Sequence, residues 1–373
     1  MLKLIYNLIL MENIKLYSDF YYYNENIKNT YLIIGDYKKN ISQTYELTFH
    51  YSLIDLHKKN KLNFITINEL NIINIKDANF DFITKILLIR CKNKRLLNIL
   101  KKLNKFTIYY MDDNLIIKPN HLCDSKIKNN FTDNIIKIRK NLLNYSNIIY
   151  VSTNYLKLKL KEEINNKNIY SNDIVFSFNK NLLIKNMGEE KKKNKFIIGY
   201  MGSKSHNEDI KMITNAIIKL LLKYDYVYFE IAGSVKVPKV FYENNKIKNR
   251  FKYYGSFSPY KKWINKLNSF QWDLGLAPCK INNFNNCKSP IKYIEYSLCN
   301  IPVIASNIDF YEKIIIDNYN GFLIEDYNWF FLIDNIISNK LILKDILKNS
   351  KQYCEENFSF KKITTKIYEL LNM

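Results

Sequence analysis

A chain of 373 residues has length for two domains of roughly 150 to 200 residues, each able to bury a core. With 47% apolar and 15% aromatic residues it is excluded from the disordered class. Lys and Arg number 57 against 35 Asp and Glu, a net +22 that would draw phosphates, nucleic acid or an anionic membrane face. The excess is nearly all Lys, spread among abundant Asn, Ile and Tyr, a pattern that AT-biased codons also produce. Six cysteines, Cys91, Cys123, Cys279, Cys287, Cys299 and Cys354, show no C-x-x-C pair and no regular spacing. That usage speaks against a zinc site or a disulfide framework and fits a reducing cytoplasm. The opening stretch, residues 1 to 11, is apolar but short, broken by Asn7 and ended by Glu12, so neither a signal peptide nor a spanning helix is expected there. No other window reaches bilayer-crossing length.

Residues 1 to 30 read as an irregular lead-in. Tyr31 to Gly35 is an apolar run ending in glycine, the pattern of a buried parallel strand entering a turn. A helix is predicted over Tyr45 to Lys58, a strand over Asn63 to Ile67, a strand over Asp81 to Arg90, a helix over Lys94 to Asn104 and a strand over Phe106 to Met111. Such alternation implies a parallel sheet with helices on both faces. At the carboxyl end of the last strand stand Asp112 and Asp113, where open parallel sheets bind ligands. They are either a paired-carboxylate site or a turn cap beside a solvated acid. Ile148 to Thr153 reads as a strand ending in Ser-Thr, with a helix over Asn154 to Glu163. The polar stretch Lys185 to Lys195 reads as the linker between domains.

Phe196 to His206 begins a second α/β unit, a strand predicted to turn at Gly199 and Gly202 before a helix near Asn207 to Asp209. Gly-x-x-Gly between strand and helix lets backbone N–H groups approach a phosphate, although it lacks the full dinucleotide fingerprint. Lys204 in this loop is either a diphosphate ligand or a solvated lysine, and His206 reads as a loop or cap residue. Strands follow at Val227 to Gly233, Phe251 to Ser256 and Trp272 to Pro278, then a polar loop, Cys279 to Cys287. Next comes Asn283-Phe-Asn-Asn-Cys-Lys-Ser-Pro-Ile-Lys-Tyr-Ile-Glu-Tyr296, running into Ile301-Pro-Val-Ile-Ala-Ser306. Ser289 is predicted as N-cap and Pro290 as the first helical residue, with the helix stopping near Cys299 because Asn300 takes a left-handed cap and Pro302 cannot continue it. Ile301 to Ala305 reads as a buried strand. Lys288, Lys292 and Glu295, at i, i+4 and i+7, are expected on one face. Two lysines at the positive end of a helix repel, a cost that makes sense if an anion binds there. Asn320 to Ile324 is a turn into the last strand, and Tyr353 to Met373 holds an amphipathic terminal helix.

The motif from Asn283 to Ser306 resembles the donor-binding helix of glycosyltransferase family 4 and its GT-B relatives. The resemblance covers residues 196 to 325 well and the rest from residue 31 loosely. It implies an α/β, GT-B architecture: two Rossmann-like doubly wound parallel sheets facing across a cleft, with residues 1–190 on the acceptor side, 196–350 on the nucleotide-sugar side and 351–373 crossing back. It implies that Glu295 binds the ribose hydroxyls and that Lys288 and Lys292 lie by the diphosphate with Ser289. It implies that Gly202, Ser203 and Lys204 form the glycine loop and that Gly255 and Ser256 hold the base. Asp112 and Asp113 would stand near the transferred sugar, Asp112 where relatives place a histidine. Many members carry a second glutamate where this chain has Cys287, so the sugar contact must come from elsewhere, with Asn283 and Asn285 as candidates.

The implied activity is transfer of a sugar from a nucleotide-diphosphate sugar to a glycan or lipid-linked acceptor in surface polysaccharide biosynthesis. It would be retaining, with no metal and no cofactor, in the cytoplasm or on the inner membrane face. The departing diphosphate would be held by Lys288, Lys204 and helix N-termini. A nucleotide-sugar epimerase of the same shape, told apart by a changed sugar without acceptor, is the alternative enzyme. A degenerate transferase that only binds, or a nucleic-acid binder, is the non-enzyme reading. The charge is diffuse and no nucleic-acid motif is present, so nucleic acid is not expected as a partner.

Overall fold

The computed structural model describes residues 18–36, 42–75, 80–119, 128–171, 176–184, 194–325, 328–339 and 342–373. The opening apolar stretch, Cys123 and most of the Lys185 to Lys195 linker lie outside the described residues. Apolar runs buried on both faces form two sheets, as parallel strands covered by helices must. The first contains β1 (Phe20–Tyr22), β2 (Thr30–Gly35), β3 (Asn63–Asn68), β4 (Lys85–Ile89), β5 (Phe106–Met111), β6 (Ile148–Val151) and β7 (Ile169–Ser171) in the order β1-β3-β2-β4-β5-β6-β7. All pairings are parallel except β1 on β3, so the expected irregular lead-in in fact supplies an antiparallel edge strand. The strand predicted from Asp81 starts only at Lys85, because Phe80 to Ile83 close a turn first.

The second sheet is wholly parallel: β8 (Phe196–Gly202), β9 (Val227–Gly233), β10 (Phe251–Tyr254), β11 (Leu274–Ala277), β12 (Val303–Ser306) and β13 (Phe322–Ile324), in the order β10-β9-β8-β11-β12-β13. Gly199 is not a turn but lies inside β8. A Cβ there would fall 1.8 Å from Cδ2 of Trp272, whose indole stacks on Phe270 and donates to Glu230 at 2.8 Å. Glycine at this point makes room for a tryptophan.

The helices that matter for the site are α1 (Tyr51–Lys58), α2 (Leu96–Leu103), α3 (Asp133–Tyr145), α4 (Asn154–Glu163), α5 (Asp209–Lys223), α6 (Tyr260–Phe270), α7 (Ile291–Leu298), α8 (Ile342–Phe358) and α9 (Phe360–Asn372). Thr153 caps α4 through its hydroxyl, and Asn104 and Asn300 end α2 and α7 in the left-handed conformation. After α8 the chain breaks at Ser359, which caps α9. Helix α9 then packs on α1 in the first domain. Thr364 meets Ser52 at 3.0 Å, and Tyr31 and Lys85 both donate to the Leu371 carbonyl at 2.9 Å. The crossing therefore begins at Ser359, inside the predicted 351–373 segment. The chain order reverses between β2 and β4 in one sheet and between β8 and β11 in the other, and the carboxyl edges at these switch points face each other.

Candidate functional site

A cavity of about 560 Å³ lies between those edges, lined from the first domain by Asp36, Thr44, Arg90, Asp112 and Asp113, and from the second by Gly202 to His206, Ser256, Lys288, Ser289, Lys292 and Glu295. Ten of the predicted site residues thus meet in one cleft: Asp112, Asp113, Gly202, Ser203, Lys204, Ser256, Lys288, Ser289, Lys292 and Glu295.

Three do not line the cavity. Gly255 is exposed beside it, its carbonyl accepting from Gly233 N–H at 3.3 Å, while Ser256 and Phe257 reach the lining. Asn283 is exposed. Asn285 is buried, its amide nitrogen donating to Asp209 at 3.3 Å and to the Lys280 carbonyl at 2.7 Å. Neither asparagine lines the cavity where the missing glutamate would act. Cys287 also points away from the cavity, fully buried against the first domain. Asn114 donates to its sulfur at 3.7 Å and Thr153 to its carbonyl at 3.1 Å.

The local geometry of the motif also differs from expectation. Ser289 gives no side-chain cap; Pro290 occupies the N-cap position and α7 starts at Ile291. Lys288 therefore precedes the helix in extended backbone, yet it still reaches the same cavity as Lys292 and Glu295.

Lys288 is buried and Lys292 half-buried, both in unusual company. Lys288 Nζ lies 5.5 Å from the Phe284 ring and 3.4 Å from each ring nitrogen of His206. Lys292 Nζ lies 5.0 Å from the Tyr200 ring, and burial, with Lys288 nearby, lowers it to about 8. Among the described residues neither ammonium has a carboxylate within salt-bridge distance. His206 is an addition that the sequence reading missed as a site residue. Burial and the two lysines lower it to about 3, so it is neutral, and its Nδ1 meets Asp209 at 2.6 Å. Burial opposes ionisation of Asp209, but the His206 contact and the lysines outweigh it and hold the carboxyl well below its usual range. Asp209 also accepts from the Lys280 N–H at 2.9 Å, tying the loop that carries Lys288 to the start of α5.

Glu295 accepts from the Trp263 indole at 3.4 Å, and burial pushes its carboxyl up to about 7. Phe257 stacks on Trp263 with centroids 6.3 Å apart. Behind the loop, Gly233 takes φ +108°, and a Cβ there would sit 2.2 Å from the Gly202 carbonyl, so glycine is required.

On the facing wall Asp112 is not a solvated acid. Arg90 Nη1 donates to its Oδ1 at 3.2 Å and to the Thr44 hydroxyl at 3.0 Å, and that hydroxyl donates on to Asp112 Oδ2 at 2.8 Å. Arg90 also stands 3.7 Å from Asp113, and its backbone takes φ +57° to turn the side chain into the cleft. Enclosure in the cleft and the Asp112 charge push the Asp113 carboxyl upward. The available signal for Arg90 was its position at the carboxyl end of a strand next to the switch point. Among the described residues no group of three or more His, Cys, Asp or Glu side chains is placed to hold a metal ion.

Comparison with known proteins agrees with this geometry. Residues 184–358 match the family described as glycosyl transferases group 1. No protein of curated function matches the chain by sequence. Among solved structures, HepE from Anabaena in complex with UDP-glucose is similar with a TM-score of 0.64 at 13% identity, over 92% of this chain and 99% of that one. Sucrose-phosphate synthase from Thermosynechococcus elongatus gives 0.67 at 11% identity over 92% and 98%. A glycosyltransferase from Rickettsia africae gives 0.63 at 18% identity over 94% and 98%. The chain has the GT-B fold of these structures, and its residues 184–358, just under half of its length, match the group 1 glycosyl transferases.

Proposed function

We propose that the enzyme takes a nucleoside-diphosphate sugar on the second domain and moves the sugar to a hydroxyl of a glycan or lipid-linked acceptor seated against the first. The observation that carries this reading is the pair Lys288, buried, and Lys292, half-buried, with no carboxylate in salt-bridge contact among the described residues and beside the start of α7. Burying unpaired cations costs stability, and a diphosphate would offset it. Glu295, held by Trp263, is at hand for ribose hydroxyls, and Gly202 to Lys204 line the same space. The HepE structure with UDP-glucose lends support for the donor class.

In the reaction the bond from the anomeric carbon to the diphosphate oxygen breaks, its electron pair leaving with the diphosphate, and an acceptor hydroxyl oxygen bonds to that carbon as its proton passes to the departing diphosphate. Lys288, Lys292 and backbone N–H groups would stabilise the departing charge, a task for preorganised electrostatics that we propose needs no metal. Asp112 and Asp113 would face the positive charge that develops on the sugar. The family resemblance supports retention of anomeric configuration and a role in surface polysaccharide assembly. The net charge of +22 supports contact with the anionic inner membrane face, and no helix among the described residues is long and apolar enough to cross a membrane.

Incubation with nucleotide sugars, with and without a glycan or lipid-linked acceptor, tests the reading. Glycosylated acceptor with the donor's anomeric configuration supports it. A sugar altered in the absence of acceptor would show an epimerase instead.

A further inference from the structure

Glu46 belongs to the first domain but ends on the second. It opens a five-residue π-helical turn, Glu46–His50, just before α1. Such turns are rare insertions that re-aim side chains, often at functional sites. The Glu46 side chain is buried; its Oε2 accepts from the Tyr260 backbone N–H at 2.8 Å, and its Oε1 accepts from the Tyr51 hydroxyl at 3.3 Å. Tyr260 is the first residue of α6, whose N-cap, Pro259, offers no side-chain oxygen. The first domain thus supplies the hydrogen-bond acceptor that a helix start in the second domain lacks. One turn along α6, Trp263 donates to Glu295. Tyr260 and Trp263 both line the cavity, as does Leu47 next to Glu46. A continuous path of contacts therefore runs from the acceptor-side domain through α6 to the acid proposed to hold the donor.

We propose that Glu46 is a positioning residue that couples the seating of the two domains to donor capture, by fixing the start of α6 and so holding Trp263 against Glu295. The proposal rests on the donor reading of the cleft. It makes a residue on the acceptor side a determinant of nucleotide affinity without contact with the nucleotide.

The test is a titration with UDP, GDP, CDP, ADP and dTDP, using whichever binds the wild type, on Glu46→Ala, Glu46→Asp and Glu46→Gln. Glutamine keeps an oxygen acceptor at full reach, whereas aspartate keeps the charge but falls one methylene short. The expected result is a Kd about tenfold higher for Glu46→Ala and for Glu46→Asp, with Glu46→Gln within about threefold of wild type. Fluorescence of the Trp263 component, assigned as the part lost in Trp263→Phe, should shift to longer wavelength in Glu46→Ala even without nucleotide. If Glu46→Ala does not fold, the aspartate and glutamine variants decide. Equal Kd in these two and the wild type, with Trp263 emission unchanged, overturns this inference and leaves the donor reading standing. A wild type that binds none of the diphosphates overturns both.

Discussion

On the donor wall of the cleft Lys288 and Lys292 meet aromatic rings and a neutral histidine, whereas on the facing wall Arg90 meets Asp112, Asp113 and the Thr44 hydroxyl. One set of cations has no carboxylate in direct contact, its nearby acid Asp209 being held by His206; the other is paired directly within its own domain. The proposed function gives each wall a ligand that matches this difference. A wall whose two ammonium groups touch no carboxylate has room for an anion, while a wall of paired carboxylates and hydroxyls suits an uncharged sugar alcohol. The difference also gives mutations on the two walls opposite signs for stability.

The largest effect is expected from Lys288→Ala, which should lower donor turnover on the order of 100-fold with the fold intact, because a charge-assisted contact to the leaving diphosphate is lost. Wild-type kcat/KM in this variant would break the assignment of the donor wall. Next, Arg90→Met should destabilise the free protein by about 2 kcal/mol in denaturant unfolding, since Asp112 and Asp113 lose their shared cation. Nucleotide affinity should stay close to wild type, which separates the two walls.

The pH dependence of nucleotide binding sharpens the comparison further. Lys292 sits at about 8, below its ordinary 10.5, so between those values the native protein holds fewer protons than the unfolded chain and this group's contribution to stability rises with pH. Glu295 sits at about 7, above its ordinary 4.5, so its contribution falls as pH climbs through that window. Between about 7 and 8 the free enzyme therefore bears both charges at a cost, and a bound diphosphate relieves the lysine's share. Affinity should fall as pH rises past about 8, by at most tenfold per unit. Calorimetric titration in that range checks it, and a flat profile would remove Lys292 from the phosphate contact. The smallest effect is Lys292→Met, which should stabilise the free protein by about 1 kcal/mol because it removes a partly desolvated cation with no carboxylate in direct contact. A lower Tm in that variant would mean that the lysine has a partner of its own.

Most of the architecture was legible in the chain because parallel strands covered on both faces must be apolar throughout, as in Val227–Gly233, which ran to its predicted ends. The core of the site was legible because Pro290, Asn300 and Pro302 punctuate the motif so that Lys288, Lys292 and Glu295 arrive together. What failed depended on partners distant in sequence. Gly199 has the spacing of a turn glycine, and only Trp272 packed across it shows why a strand needs it. Ser289 has the chemistry of a cap, but the chain enters α7 through Pro290 instead. Asn285 has the chemistry of a sugar ligand, but Asp209 claims it. Arg90 carried only the signal of its place at a strand's carboxyl end, and His206 becomes a site residue through tertiary neighbours that no local pattern announces.

The claim on which all else rests is that Lys288 and Lys292 form a receptor for a diphosphate. Thermal unfolding of the wild type and of the double variant Lys288→Ala, Lys292→Ala, each with nucleoside diphosphates and with the matching nucleosides, tests it most directly. The account predicts that at least one diphosphate raises the wild-type Tm, that its nucleoside does so far less, and that the double variant shows no diphosphate response. Equal shifts in both proteins, or none with any diphosphate, would contradict it.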